Sequence, residues 1–376
     1  MRWESHIMFS DNSINSIDEF INSHFKKYTG KLLFILGKGF DLRMNNCIEK
    51  LLSLHPSVDI EVFLIEFEEG TTSSSHEYKH LVDLNMNRFL DLTNNVKVVV
   101  KRISIWNSPG VGKRLIGDRQ AADLIKEINN ISSFTDIIVD ISSLPRSIYF
   151  SILGMLLTII DKSASDNNLF VAVSENAKMD ALIVEQEIED DLNYAYGFGG
   201  NIDITSEIEK PLIWFPIMGE NKLAAIKKGS AKIMGDSKRL FEICPILPFP
   251  SKDPRRSDSL LIEYHELFFD NLGIESQNIM FTAERDPFQT YVEISKALIN
   301  YNKSLKILNG CKVALSTFSS KLLSLGTLLV AHENKESVGI LNVNSNGYII
   351  EKEEEFTILN QESELFLSWL TGTPYS

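Results

Sequence analysis

Short apolar runs that end in turn residues recur along the first half of the chain. Each run precedes a segment with helical periodicity, and this alternation is typical of βαβ units in a parallel sheet. Because the runs are almost continuously apolar, we expect both faces of the sheet to be covered. The predicted strands are residues 31–36, 61–67, 96–105, 136–141 and 169–173.

The second half repeats this pattern in shorter form, with predicted strands at residues 243–247, 278–282 and 312–315. In both halves a basic loop (GKGFDLR, PSKDPRR), an acidic loop (EFEEGTTSSSHEY, TAERDPFQTY) and a Ser-rich loop (DISSLPR, LSTFSSK) follow in the same order. Residues 96–113 of the first half have no counterpart in the second half. We predict an α/β fold of two Rossmann-like units with mainly parallel sheets, arising from a tandem duplication or from chance similarity of α/β turns.

Glycines and polar residues interrupt the pattern at residues 200–211. This interruption divides the chain into predicted units 1–205 and 206–376. A length of 376 residues also favours two domains, because it exceeds what a single hydrophobic core usually organises.

Composition narrows the classes of partner. The chain is 44% hydrophobic and 23% charged, which is ordinary for a folded protein. Its formal net charge of −14 disfavours direct binding to duplex nucleic acid, so an anionic ligand must be bound by a local group of cations.

The sequence shows no signal for export, membrane insertion or metal binding. The N-terminus MRWESHIMFSDNSINS lacks the apolar core of a secretory signal, and the longest apolar stretch, residues 148–160, is shorter than the ~20 residues of a membrane span. Cys47, Cys244 and Cys311 are far apart and have no CxxC spacing. We predict a cytoplasmic protein with no membrane contact and no bound metal.

The first basic loop joins a predicted strand to a predicted helix. Gly37 and Gly39 permit a tight turn, Asp41 is suited to cap the helix, and Arg43 is within reach of an anion. The loop lacks the third glycine of a dinucleotide fingerprint and the GK[ST] ending of a phosphate loop, so no cofactor is indicated. An ordinary strand-to-helix turn is the alternative interpretation.

The Ser-rich loops offer a second kind of anion site. Ser142, Ser143 and Arg146 stand at a predicted helix N-terminus, where free amides and the helix dipole favour phosphate or carboxylate. Simple capping by Ser143 is equally consistent with the pattern. The matching positions in the second half are Ser319, Ser320 and Lys321.

The second basic loop lies in residues 245–258, which contain four prolines and the cations Lys252, Arg255 and Arg256. A stiff loop lowers the entropic cost of binding, and adjacent arginines are suited to phosphate. The alternative is a surface loop with solvated charges.

The stretch DIIVDISSLPRSIYFSILGMLL resembles the ligand-binding turn of CARF domains, and STFSSKLLSLGTLLVA is similar to it in outline. Tandem units of this kind also occur in the related SAVED sensors of bacterial antiphage systems, which bind cyclic oligonucleotides across two units. The resemblance implies that the serines and cations of the two Ser-rich loops face a phosphate.

Three functions follow from these patterns. The first is a binding module that recognises a nucleotide or another small anionic ligand at the carboxyl ends of the strands and signals to a protein partner, in bacterial antiphage defence. The second is a nucleotide hydrolase or transferase that uses Asp41 or Glu68 as acid or base, with arginine clamps. The third is a protein-interaction scaffold, which requires a large exposed apolar patch.

Overall fold

Strands and helices alternate along most of the chain. The computed structural model describes residues 1–14, 16–68, 74–107, 115–128, 130–163, 165–189, 192–202, 210–236 and 240–375. The strands of these residues are β1 (Ile7–Ser10), β2 (Leu32–Lys38), β3 (Ile60–Glu68), β4 (Lys97–Ser104), β5 (Asp136–Asp140), β6 (Asn168–Glu175), β7 (Ile183–Ile188), β8 (Asn193–Gly199), β9 (Leu212–Ile217), β10 (Leu240–Ile243), β11 (Ile246–Pro248), β12 (Met280–Thr282), β13 (Lys312–Thr317), β14 (Val338–Asn342), β15 (Ser345–Ile350) and β16 (Glu364–Thr371). The α-helices are α1 (Ile17–Phe25), α2 (Asn46–Leu54), α3 (Lys79–Leu92), α4 (Gly117–Lys126), α5 (Arg146–Ser163), α6 (Ala177–Ala181), α7 (Leu223–Asp236), α8 (Arg256–Glu263), α9 (Pro287–Ser304), α10 (Lys321–Glu333) and α11 (Glu353–Leu359).

The chain divides into two compact units. The first unit contains residues 6–186 and 346–376, and the second contains residues 1–5 and 187–345. This division differs from the predicted single cut after residue 205, because the C-terminal strand β16 returns to the first unit. There it pairs with β1 on one side and β6 on the other, so the edge of β6 is covered. A separate two-stranded sheet pairs β7 with β15.

The first unit contains a seven-stranded sheet in the order β1-β16-β6-β5-β2-β3-β4. Strands β2 to β6 are parallel, whereas β16 is antiparallel to β6 and β1 is antiparallel to β16. Ranked by chain position, the five parallel strands follow the order 3-2-1-4-5 of Rossmann-like folds. The strand order reverses between β2 and β5, so the loops after these two strands meet.

The second unit has the same order of parallel strands. Its sheet runs β12-β11-β9-β13-β14-β8, with β10 also paired to β9. Strands β10 and β11 pair with successive parts of β9 and act as one interrupted strand. The parallel order is therefore again 3-2-1-4-5, and the prediction of two Rossmann-like α/β units is confirmed.

Two parallel strands of the second unit, β9 and β14, are absent from the sequence prediction. The run LIWFPI forms β9, the first and central strand of that unit, and Pro216 within it weakens the strand pattern. In the sequence prediction, the basic and acidic loops of the two halves are matched by their order along the chain. Because β9 was missed, each of these second-half loops follows a strand one place later in its unit than the first-half loop matched with it. The second basic loop follows the second strand of its unit, and β12 is the counterpart of β4. The Ser-rich loops after β5 and β13 do correspond.

Helix α5 follows β5 and contains the longest apolar stretch of the chain. Ile148, Leu153 and Leu156 are completely buried, as expected for a core helix. No helix in the described ranges has the length and apolar character needed to cross a membrane.

A glycine allows the loops after β9 and β13 to approach each other. A Cβ atom at Gly219 would collide with the backbone carbonyl oxygen of Phe318, which cannot move as a flexible side chain can. The carbonyl oxygen of Gly219 also accepts a hydrogen bond of 2.6 Å from the Tyr264 hydroxyl.

We predict that Gly219→Ala lowers the free energy of unfolding by about 1–3 kcal/mol, because the added methyl forces backbone movement. Gly235→Ala is the matched control, since Gly235 lies in α7 with no atom within 4 Å of its added Cβ. It should stabilise the protein by up to about 1 kcal/mol through helix propensity. Urea unfolding of both variants checks this, and equal effects would contradict the packing argument.

Candidate functional site

The loops after β2 and β5 pack directly on each other. The Ser143 hydroxyl donates a 2.6 Å hydrogen bond to the carbonyl oxygen of Gly37, and a Cβ at Gly37 would lie 2.5 Å from Leu144 Cδ2. A side chain at Gly37 would require Leu144 to move, so this glycine serves a contact between two protein loops. Ser142 is fully buried, and its Oγ accepts a 2.9 Å hydrogen bond from the backbone N–H of Ser174. It ties β5 to β6.

Arg43 is buried in an ion pair with two carboxylates. Its Nε and one terminal nitrogen donate to Asp41 at 2.9 and 2.7 Å, and that nitrogen also donates to Asp180 at 2.6 Å. Burial disfavours the charged guanidinium, but Asp180 and Asp41 outweigh it and raise the pKa of Arg43. Asp41 and Arg43 thus stabilise the loop, and this geometry disfavours their predicted roles as an acid or base and an anion clamp.

The rest of the first basic loop is also held by protein groups. Asn85 Nδ2 donates 2.9 Å hydrogen bonds to the carbonyl oxygens of Gly39 and Asp41. Phe40 packs on Tyr78, with ring centroids 5.5 Å apart, at the margin of a small apolar core. The loop therefore leaves few groups for a ligand.

A row of charges crosses the carboxyl ends of β2, β3 and β4. Glu66 accepts hydrogen bonds from Lys38 at 2.8 Å and from Arg102 at 2.7 Å, and these bonds lower the pKa of its carboxyl. Glu68, the other predicted acid or base, is exposed at the end of β3. Residues 69–73 of this acidic loop lie outside the described residues.

The N-termini of α5 and α10 place the other predicted Ser-rich positions. Arg146 begins α5 and is partly buried, and Lys321 begins α10 in the same way. Ser320 is the N-cap of α10, since its hydroxyl accepts a 3.3 Å hydrogen bond from Leu323 N. Ser319 precedes it and is partly buried. Capping therefore accounts for Ser320, whereas the sequence pattern suggested capping at Ser143.

Arg256 joins three loops at the carboxyl ends of the second sheet. Its guanidinium donates to Glu220 at 2.5 and 2.8 Å and also to Glu284. Burial opposes the charge of Arg256, but Glu220 and Glu284 raise its pKa. Likewise, burial alone would raise the pKa of Glu220, yet Arg256 lowers it. Arg256 is therefore engaged by two carboxylates, and it does not fit the predicted role of a phosphate ligand.

The loop after β11 runs beside the loop after β12. The backbone N–H of Phe249 donates a 2.6 Å hydrogen bond to the carbonyl oxygen of Thr282, and that of Glu284 donates a 3.0 Å hydrogen bond to the carbonyl oxygen of Pro250. The backbone N–H of Lys252 donates to Glu284 Oε2 at 2.7 Å. These bonds, together with those of Arg256 at the end of the loop after β11, fix the conformation of residues 249–256. We call residues 249–256 and 281–284 the edge loops.

The edge loops expose two cations and two aromatic rings. The side chains of Lys252 and Arg255 are exposed, and neither forms an ion pair with any residue that the structure describes. Phe249 is 51% exposed and Phe281 is 47% exposed, and their rings meet edge to face with centroids 6.2 Å apart. This combination can hold an anion and an aromatic group side by side.

Sequence reasoning missed Glu220, Phe249 and Phe281. Glu220 follows β9, which was not predicted, and Phe281 lies inside a predicted strand where an aromatic residue indicates packing. The one available signal was Phe249, which stands next to the cations in the proline-rich loop.

Comparisons with known proteins add little to this description. No family model and no curated protein matches the chain. The similar solved structures include a candidate UDP-N-acetylglucosamine 2-epimerase from Listeria monocytogenes, with 9% identity, a TM-score of 0.24, and coverage of 78% of this chain and 75% of that chain. They also include the UDP-GlcNAc 2-epimerase from Methanocaldococcus jannaschii, with 12% identity, a TM-score of 0.22, and coverage of 88% and 92%.

The neighbouring arginines of the edge loops should differ in their effects on stability. Arg256→Gln leaves the buried Glu284 carboxylate without its cation and should lower the free energy of unfolding by about 3 kcal/mol. Arg255→Gln removes an exposed charge and should change it by less than about 0.5 kcal/mol. Denaturant unfolding measures both, and equal losses would show that Arg256 is not the residue holding the loops.

Glu66 should stabilise the first unit in a pH-dependent way. Folding lowers its pKa, so its contribution is present above the usual Glu pKa of about 4.3 and is lost as pH falls through the lowered folded-state value. We expect Glu66→Gln to destabilise the protein near neutral pH, with the difference from wild type shrinking in acid. Urea unfolding between about pH 3 and 7 tests the sign. A pH-independent difference would contradict it.

Proposed function

We propose that the chain is a binding module for a small anionic ligand of the nucleotide class, held at the edge loops of the second unit. The observation that carries the proposal is the pair of exposed cations, Lys252 and Arg255, that have no ion-pair partner among the described residues. In a chain with a net charge of −14, residues 249–256 carry three cations and one carboxylate, Asp253, and so form a local group of positive charge.

The carboxylates of the edge loops accept hydrogen bonds from backbone N–H groups and from Arg256. Glu284 accepts from Arg256 and from Lys252 N, while Asp253 Oδ1 accepts a 3.0 Å hydrogen bond from the backbone N–H of Arg255. Because the loop backbone is fixed by these contacts, an anion would pay little ordering cost on binding. Charge-assisted hydrogen bonds from a lysine and an arginine suit phosphate oxygens.

The other predicted anion sites have weaker support. Arg43 and Arg256 are engaged by carboxylates, which leaves Arg146 and Lys321 at the helix N-termini as the alternative positions. Binding without catalysis is preferred, because Asp41 is tied to Arg43 and is poorly suited to proton transfer. Signalling to a protein partner and a role in antiphage defence stay predictions from the sequence resemblance.

Isothermal titration calorimetry with inorganic triphosphate and the four ribonucleoside triphosphates tests the proposed site. The double variant Lys252→Ala/Arg255→Ala should weaken binding by about 100-fold or more, since each charge-assisted hydrogen bond contributes about 1.5–3 kcal/mol. Lys303→Ala/Lys306→Ala is the matched control, because it removes the same charge from exposed positions of the same unit.

Equal weakening in the control variant would mean that only bulk charge attracts the anion. Loss of binding in Arg146→Ala, with full affinity in Lys252→Ala/Arg255→Ala, would move the site to the N-terminus of α5 and contradict the proposal.

A further inference from the structure

We infer that Phe249 and Phe281 form a stacking surface for the base of a nucleotide whose phosphates lie at Lys252 and Arg255. This inference rests on the proposed function and names the side chains that would recognise the base of its ligand. It goes further because an anion site alone requires no aromatic ring.

The exposure of these rings calls for an explanation. Phe249 and Phe281 are the two exposed phenylalanines in the described part of the chain, whereas Phe34, Phe150 and Phe170 are completely buried. A phenylalanine ring in water forgoes the large gain from burying its apolar surface. The two rings contact each other edge to face, so about half of each remains free for a third group.

The backbone fixes both rings at the same edge of the sheet. Leu247 pairs with Phe281 and Pro248 with Thr282 in the β11–β12 ladder, and Phe249 then bonds to the carbonyl of Thr282. Thr282 is fully buried and its hydroxyl contacts that of Thr290 at 3.0 Å. Because side chains alternate along a strand, Phe281 projects to the opposite face, into solvent.

The cations that follow Phe249 in the same loop favour a nucleotide over a purely apolar partner. Lys252 lies three residues after Phe249 in the same fixed loop, and Arg255 follows three residues later. A purely apolar partner would form no favourable contact with the positive charges of Lys252 and Arg255. A nucleotide carries a flat aromatic base and an anionic phosphate in one molecule, so it matches both features of the edge loops.

The test compares ligands with and without a base on the full-length protein. Wild type should bind at least one of the four ribonucleoside triphosphates about 10-fold more tightly than inorganic triphosphate, as base stacking on an aromatic ring predicts. Phe249→Leu/Phe281→Leu keeps apolar side chains but removes the rings, and it should bind the nucleotide and inorganic triphosphate equally. Ile307→Ala, at a position 94% exposed in the same unit, should keep the wild-type preference.

A fluorescent variant provides a second readout. Phe281→Trp keeps an aromatic surface, and its added fluorescence should be quenched by the preferred nucleoside triphosphate and unaffected by inorganic triphosphate. Thermal unfolding of each variant confirms that it is folded before titration.

The outcomes separate the two proposals. Binding of inorganic triphosphate through Lys252 and Arg255, with no preference for any nucleotide, would overturn the stacking surface and leave the anion site standing. A nucleotide preference that survives in Phe249→Leu/Phe281→Leu would also overturn it. Failure of wild type to bind any of these probes would overturn the proposed function, and the stacking surface with it.

Discussion

The guanidinium of Arg256, held between Glu220 and Glu284, is the interaction on which the candidate site depends. It connects the loops that follow β9, β11 and β12, so one partly buried cation fixes three adjacent strand ends. Removing a cation from water is costly, and two carboxylates offset that cost. Because Arg256 takes up both carboxylates, its neighbour Arg255 and the nearby Lys252 keep their charges exposed.

The first unit shows that the strand order alone does not create such a site. Its loops occupy equivalent places, but Lys38 and Arg102 share Glu66, and Arg43 is buried between two aspartates. At the ends of the first three strands of the first unit, the charges are positive (Lys38), negative (Glu66) and positive (Arg102). At the equivalent places of the second unit they are negative (Glu220), positive (Arg256) and negative (Glu284). In the described residues, the same architecture therefore supports one row of strand-end charges that pair with one another and one edge that exposes cations and aromatic rings.

The sequence predicted local features well and long-range pairing poorly. Continuous apolar runs identified β2 to β6 and the buried helix α5, since burial on both faces leaves a clear local pattern. Strand β9 was missed because Pro216 interrupts its run, and the return of β16 to the first sheet has no local signal. Arg255 and Arg256 are indistinguishable in sequence, because the partners of Arg256 lie 36 and 28 residues away.

Hydrogen–deuterium exchange with and without a nucleoside triphosphate tests the central claim, that the edge loops of the second unit bind the ligand. The account predicts slower exchange in residues 249–256 and 281–284 when the nucleotide is present. It also predicts unchanged exchange at the starts of α5 and α10, around Arg146 and Lys321. Protection at those two helix N-termini, with none in the edge loops, would contradict it.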